Sequence, residues 1–309
     1  MIGKHRRELS VAAAYLLVLG LLGLFAPQFF GPKPLVDFAV RNASVLVAAS
    51  GMTLVILARQ IDISVGSQAS VCAVVAGLLA RSGLPMPMVG AWTLLAGAGL
   101  GAVNGWLVAG LGLPSIVVTL AMLVILRESL RYLREGEFVR GLPSDFQWFG
   151  MGQGTGQWLV VGIALGVFAA MAWGMRYLSA GRAVYATGSD PEAARLAGIR
   201  PRLVTFEVFV AMGALTGLYA LLNVVQLPAV DPNTGKGMEM QVIAAAVVGG
   251  AAVSGGRGTL IGTLIGVLLL GTINPALVFL GLSAQWEKAI QGGIILLAVA
   301  SDGLTRGSK

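Results

Sequence analysis

Charged residues are scarce in this chain: Asp, Glu, Lys and Arg fill 11% of its 309 positions, against about 25% in a typical soluble domain. A water-soluble fold of this size would need far more polar surface, so that class is excluded. Histidine occurs once, as His5 in a basic N-terminal tail, and cysteine once, as Cys72 within an apolar run. No histidine-based dyad, His/Cys metal site or internal disulfide can be assembled from them. No catalytic residue and no metal ligand is therefore assigned, and the chain is not expected to be an enzyme. A phosphate-cradling loop is missing as well. The nearest candidate, Thr234-Gly-Lys-Gly237, has Val230 where the first glycine of the motif belongs and no Ser or Thr for Mg²⁺. The chain is thus expected to hydrolyse no ATP and to bind no cofactor of its own.

Long polar stretches are also lacking. The longest gaps run to about 25–30 residues, short of the roughly 50 that a separate soluble domain needs. Residues 1–309 are expected to form a single transmembrane domain.

Membrane-spanning hydrophobic runs are abundant. An apolar helix of roughly 20 residues crosses a hydrocarbon core of about 30 Å. Ten such segments are predicted, at 9–26, 42–58, 64–80, 88–111, 115–133, 157–175, 204–226, 240–253, 259–281 and 288–301. Runs such as Val11–Ala26 lack the alternation of a transmembrane barrel, and lipid demands that each backbone polar group be satisfied internally. The fold class is an all-α integral membrane protein. Its first segment resembles a secretory signal, but nine more spans follow, so an uncleaved helix is expected.

Lys and Arg set the orientation. With Lys4, Arg6 and Arg7 in the cytoplasm, ten crossings place both termini there, Arg306 and Lys309 included. Twelve of the 21 Lys and Arg then fall inside and nine outside. The stretch with Arg127, Arg131, Arg134 and Arg140 weakens the bias. The net charge of +7 is read as cytoplasmic arginine facing anionic lipid and partners, with no nucleic acid involved.

Gly97, Gly101 and Gly105 recur every four residues, as do Gly258, Gly262 and Gly266. Small residues at that spacing bring helices into close contact, as static packing or as a sliding surface. Gly101–Val108 echoes Gly271–Val278, and Asp62–Val65 echoes Glu239–Val242. These echoes point to an inverted repeat of five plus five helices, but the offsets of 161, 170 and 177 residues disagree, so the sequence leaves the duplication open. The short eighth segment and the third one are the pair to watch, because interrupted spans at matching places mark transport pathways. Asp62, Ser64, Ser67, Asn104, Glu239 and Asn274 are the path candidates; for Asp62 or Ser64 a helix cap is the simpler role. Carboxylates such as Asp62, Glu207, Glu239 and Glu287 sit near predicted span ends, which argues against a mid-membrane proton relay. Na⁺ held by backbone carbonyls stays open. Trp92, Trp158, Trp173 and Trp286 at span edges fit an interfacial belt better than a sugar-stacking site.

Among the polar segments, the loop at about 176–203 stands out. Ser189 or Asp190 can cap a helix, Pro191 fits its first position and Glu192 its first turn; Ala193, Ala194 and Arg195 favour helix, and Gly198 can end it. Such a helix is a rigid lever for another protein, or else a helix lying on the membrane surface.

These residues resemble the permease subunits of bacterial ABC importers for ribose, rhamnose, related sugars and autoinducer-2. The likeness covers nearly the whole chain, through Ile61–Ser67, Asn104–Val108, Leu113-Pro-Ser115, Val118-Thr-Leu120, Gly181–Ile199, Glu239–Gly250, Ser254–Gly258 and Gln285-Trp286. It implies a multi-pass permease of the bacterial inner membrane that pairs with a second permease, identical or paralogous. Two ATPase subunits, which carry ATP and Mg²⁺, would dock below, and a periplasmic sugar-binding protein above. It also implies that residues 189–198 are the helix that couples to the ATPase. The outer loop at about 127–156 would help receive the binding protein, or is simply solvated. Gln60 departs from the family's usual small residue, and Pro275 after Asn274 is expected to kink its helix. The cargo implied is a small sugar: a pentose, a deoxyhexose such as rhamnose, or an autoinducer-2-like molecule, with a tilt toward the last two from Glu137–Pro143, Val71–Val74 and Tyr185–Gly188. The alternatives are a stand-alone Na⁺-coupled carrier and a membrane scaffold without transport.

Overall fold

A computed structural model describes residues 6–283 and 285–306. Lys4, His5 and Lys309, on which the orientation and histidine arguments drew, lie outside the described residues, as do the side chains of Arg6, Arg7 and Arg306. Among the described residues twelve α-helices follow in order: α1 (Arg6–Phe25), α2 (Pro32–Leu57), α3 (Val65–Arg81), α4 (Met86–Gly105), α5 (Ser115–Arg134), α6 (Gln153–Tyr177), α7 (Ser179–Ser189), α8 (Pro191–Leu196), α9 (Pro201–Val224), α10 (Met238–Val248), α11 (Leu260–Phe279) and α12 (Trp286–Arg306). No strand occurs among the described residues; one isolated antiparallel bridge joins Val139 to Val230. All ten hydrophobic segments coincide with helices. Five of these, namely α2, α4 with its extension to Gly110, α6, α9 and α11, are long and apolar enough to cross a bilayer by that measure alone. Helices α3 and α10 are apolar but shorter, and α5 carries Arg127, Glu128, Arg131 and Arg134 in its C-terminal half.

Helix α2 is the buried axis, with its span 89% inside the molecule. Around it the packing falls into matching pairs. Helices α3 and α4 lie on α9, while α10 and α11 lie on α2; α5 packs on α3, and α12 on α10. The outer helices break the correspondence, α1 lying on α11 and α6 on α2.

Glycine makes the closest of these contacts. On α4, a Cβ at Gly97 would strike the Gly213 carbonyl of α9, one at Gly101 the Phe209 carbonyl, and one at Gly105 would lie 3.0 Å from the Phe206 carbonyl. Gly262 and Gly266 meet the carbonyls of Gly249 and Ala245 in the same way. Both glycine series are thus packing faces, except Gly258, which sits in the loop before α11. Helix α11 continues through Pro275 to Phe279 without interruption.

Two irregular segments enter the helical body. Gln60–Ser64 is non-helical and leads from the end of α2 into α3. The other, 225–237, leads from α9 into α10. Its Val230 lies against Gly77 of α3, whereas Gly235 and Glu239 lie against Gly66. Eleven residues of helix at 1.5 Å rise separate Gly77 from Gly66, so this segment descends about 16 Å along α3. The N-termini of α3 and α10 therefore meet inside the bundle, well away from the Arg81 end of α3. Non-helical backbone at that depth is tolerated only where protein surrounds it.

Candidate functional site

Three of the six path candidates come together. Asp62 is fully buried, and its Oδ1 accepts from the Ser64 backbone N–H at 2.9 Å and from Ser64 Oγ at 2.6 Å. Its Oδ2 accepts from Gln68 Nε2 at 3.1 Å and from Asn104 Nδ2 at 3.4 Å. Ser64 Oγ in turn accepts from Gln68 Nε2 at 2.8 Å and Asn104 Nδ2 at 2.9 Å. The cluster ties the irregular segment to α3 and to α4. Helix α5 holds its other side: Ser115 Oγ accepts from the Ile61 N–H at 3.3 Å, and Thr119 Oγ1 donates to the Ile61 carbonyl at 3.4 Å. Ser64 occupies the N-cap position of α3 without a side-chain cap bond. Asp62 thus accepts the N–H of the N-cap residue and braces the turn into α3, while the Ser64 side chain makes no cap bond.

Burial of a carboxyl costs several kcal/mol unless partners compensate. Here all four compensating bonds come from neutral donors, and no cation lies within ion-pair distance of Asp62 among the described residues. The side-chain oxygens of Gln68 and Asn104 are buried without a partner, since both amides turn their NH₂ groups toward Asp62 and Ser64.

The remaining candidates lie elsewhere. Ser67 Oγ donates to the Leu123 carbonyl of α5 at 2.8 Å and so fixes α3 to α5. Glu239, at the start of α10, accepts from the Gly237 N–H at 3.1 Å and pairs with Arg127 of α5 at 3.4 Å. Asn274 donates to Glu287 of α12 at 2.6 Å, and Gln291 donates to the same carboxylate at 3.0 Å. Gln68 and Arg127 are not among the path candidates that the sequence supplies. The spacing of Gln68, one helical turn after Ser64, was the signal available for it; for Arg127 there was none, as 112 residues separate it from Glu239. Trp92, Trp158, Trp173 and Trp286 are all exposed, as a belt at the lipid interface requires.

The loop at 176–203 is itself helical. Asp190 Oδ1 accepts from the N–H groups of Glu192 and Ala193 at 3.0 and 3.1 Å, so Asp190 is the cap of α8 and Ser189 ends α7. Pro191 takes the first position, and Gly198, at φ +82°, turns the chain out of the helix. Glu192 and Arg195 pair across one turn at 2.6 Å, which holds the Arg195 guanidinium above its usual pKa. Ala194 is buried; Leu196 is 78% exposed. This knob is fastened to the bundle behind it. Gly188 leaves no room for a Cβ against the Leu57 carbonyl of α2, the Gly256 N–H donates to that carbonyl at 2.9 Å, and Tyr185 Oη donates to the Gly258 carbonyl at 2.8 Å. The end of α2, the loop 255–258 and α7–α8 therefore form one interlocked unit.

Residues 35–299 match the family described as the branched-chain amino acid transport system / permease component. The chain is 35% identical to the autoinducer 2 import system permease protein LsrC of Photorhabdus luminescens, over 98% of its own length and 92% of that protein's. It is 33% identical to the LsrC proteins of Escherichia coli O157:H7 and of Shigella flexneri, over 98% of its length and 89% of theirs. No solved structure matches it.

Proposed function

The chain belongs to the branched-chain amino acid transport system / permease component family, and on that premise we propose that it is the transmembrane permease subunit of an ABC importer, forming the path for a small sugar of the autoinducer-2 type. A binding protein delivers the cargo from outside, and separate ATPase subunits drive its passage. The cargo class rests on the names of the relatives given above, which are autoinducer 2 import permeases. The protein resides in the bacterial inner membrane and pairs with a second permease copy or paralogue. Ten crossings in two inverted halves are supported by the matched packing of α2–α5 and α9–α12.

One observation carries the mechanism: a pre-capped, exposed knob at Asp190–Gly198 is locked to the end of α2 and to the loop preceding α11. An ATPase that grips Glu192, Ala193 and Arg195 would move that unit as a body. The segment Gln60–Ser64 is the next link, since it continues directly from α2 and is tied by Asp62 to α3 and α4. Displacement at the knob would thus reach the interrupted helices α3 and α10. Asp62, Ser64 and Asn104 are fully buried in this arrangement, so their role is to brace the broken segment. Glu239, on the second interrupted helix, remains the candidate for contact with the passing solute.

Proteoliposomes holding the chain, its ATPase and its binding protein test this. Glu192→Lys reverses the charge at the knob and opposes Arg195. Uptake is expected to fall by roughly tenfold or more, a typical size for a lost coupling between sites, while ATP hydrolysis persists. Unchanged uptake would place the lever elsewhere. Uphill uptake by the chain alone, driven by an ion gradient, would overturn the assignment.

A further inference from the structure

Behind the knob lies a cavity of about 340 Å³ that the transport mechanism above does not use. Its polar lining comes from Arg59 and Gln60 after α2, Ser115 of α5, Thr187 of α7, and Arg202 and Thr205 of α9. No Asp or Glu lines it. Neither Arg59 nor Arg202 has an acidic partner within ion-pair distance among the described residues. Two long helices also begin at this cavity: α5 at Ser115 and α9 at Pro201, neither with a side-chain cap. The first N–H groups to find a helical carbonyl are those of Val118 and Val204. The N–H groups ahead of them point out of the helix ends, where the macrodipole is positive. An independent observation points the same way. Thr187 is 3% exposed, and its Oγ1 is buried without any hydrogen-bond partner. A buried hydroxyl left unmatched is costly, and the residue that carries it stands in the wall of a space already surrounded by donors and positive charge.

We propose that this cavity is a binding site for a phosphate group, held by Arg59 and Arg202 with donors from the N-termini of α5 and α9 and from Thr187. Helix N-termini and arginine forks both suit phosphate recognition. A volume roughly ten times the 30 Å³ or so of one water admits a phosphate with part of its hydration. The chemistry suits either the headgroup of an anionic phospholipid or free phosphate. Because the cavity joins α7, the end of α2 and the starts of α5 and α9, an occupant would stiffen the unit that carries the knob.

The experiment uses the full chain in phosphatidylcholine nanodiscs, titrated calorimetrically with inorganic phosphate. In parallel, native mass spectrometry counts phosphatidylglycerol retained by the detergent-solubilised chain. Binding in the first arm identifies free phosphate as the ligand, and retention of one lipid in the second identifies the headgroup; either supports the site. Arg59→Gln and Arg202→Gln are each expected to weaken the observed binding by roughly tenfold, the scale of one charge-assisted contact, and Arg202→Lys to recover part of it. Arg182→Gln, outside the cavity, should bind as the parent does. Both arginines are exposed, so their loss should leave folding intact; an unchanged melting temperature checks this. Absence of binding in both arms overturns the proposal, as does full binding by the Arg59→Gln, Arg202→Gln double variant.

Discussion

Asp62 receives two bonds from Ser64, one from Gln68 and one from Asn104. Its replacement by alanine strands several buried donors at once. Each such donor costs roughly 1–3 kcal/mol, so Asp62→Ala is expected to lower stability by about 3 kcal/mol or more, read as a large drop in the melting temperature of the purified chain. Asp62→Asn should be far milder. The oxygens of Gln68 and Asn104 have no partner, so those amides can rotate to accept from the new NH₂ group. Equal damage from both substitutions would show that the charge of Asp62, not its hydrogen-bonding shape, holds the cluster. At this scale the sequence disclosed the residue types but only half of their grouping. Asp62 and Ser64 are recognisable as polar residues at the edge of an apolar run, and Asn104 as a polar residue inside one. What joins them is a contact across 42 residues, which no local spacing encodes. Asn274 shows the reverse: its sequence context echoes that of Asn104, yet it faces Glu287 on α12.

Helix by helix, the apolar runs located ten of the twelve helices, because burial in lipid or in the bundle requires long uninterrupted hydrophobicity. Helix α7 was missed. Its Gly181 and Gly188 suggest a loop by propensity, but a Cβ at Gly181 would strike the backbone of Met175 and one at Gly188 that of Leu57. Close packing dictates glycine there and overrides its cost within a helix. The same helix scale permits a controlled test of the glycine face on α4. Gly101→Val forces a branched side chain into the backbone of α9, which cannot yield. Gly99→Val, two residues earlier, meets nothing within 4 Å. The first is expected to destabilise the α4–α9 pair by about 3 kcal/mol, the upper range of overpacking, and to reduce folded protein in the membrane. Gly99→Val should stay near the parent level. Equal yields would mean that α4 and α9 do not pack at the distance seen here.

For the whole molecule, the decisive question is which features share a face of the membrane. The proposed arrangement sets the knob and the outer half of α5 on opposite sides, because only α6 separates them by a full crossing. Tyr132, 84% exposed near the end of α5, and Leu196, 78% exposed on α8, are suitable reporters. The single native cysteine helps, as Cys72 is fully buried and its thiol sits inside α3, so labelling of the parent chain should be minimal without further engineering. Tyr132→Cys is expected to react in intact cells with a membrane-impermeant maleimide, and Leu196→Cys only after the inner membrane is opened. This sidedness could be derived from arginine counts only weakly, since the cluster from Arg127 to Arg140 runs against the bias. The structure gives that cluster a further reason to exist, because Arg127 reaches inward to Glu239 at the start of α10. Reaction of both cysteines from one side would break the link between the knob and an internal ATPase. It would also remove the basis for reading α3 and α10 as the two halves of an interrupted pathway, since their meeting point would then no longer lie between the driven end and the receiving end.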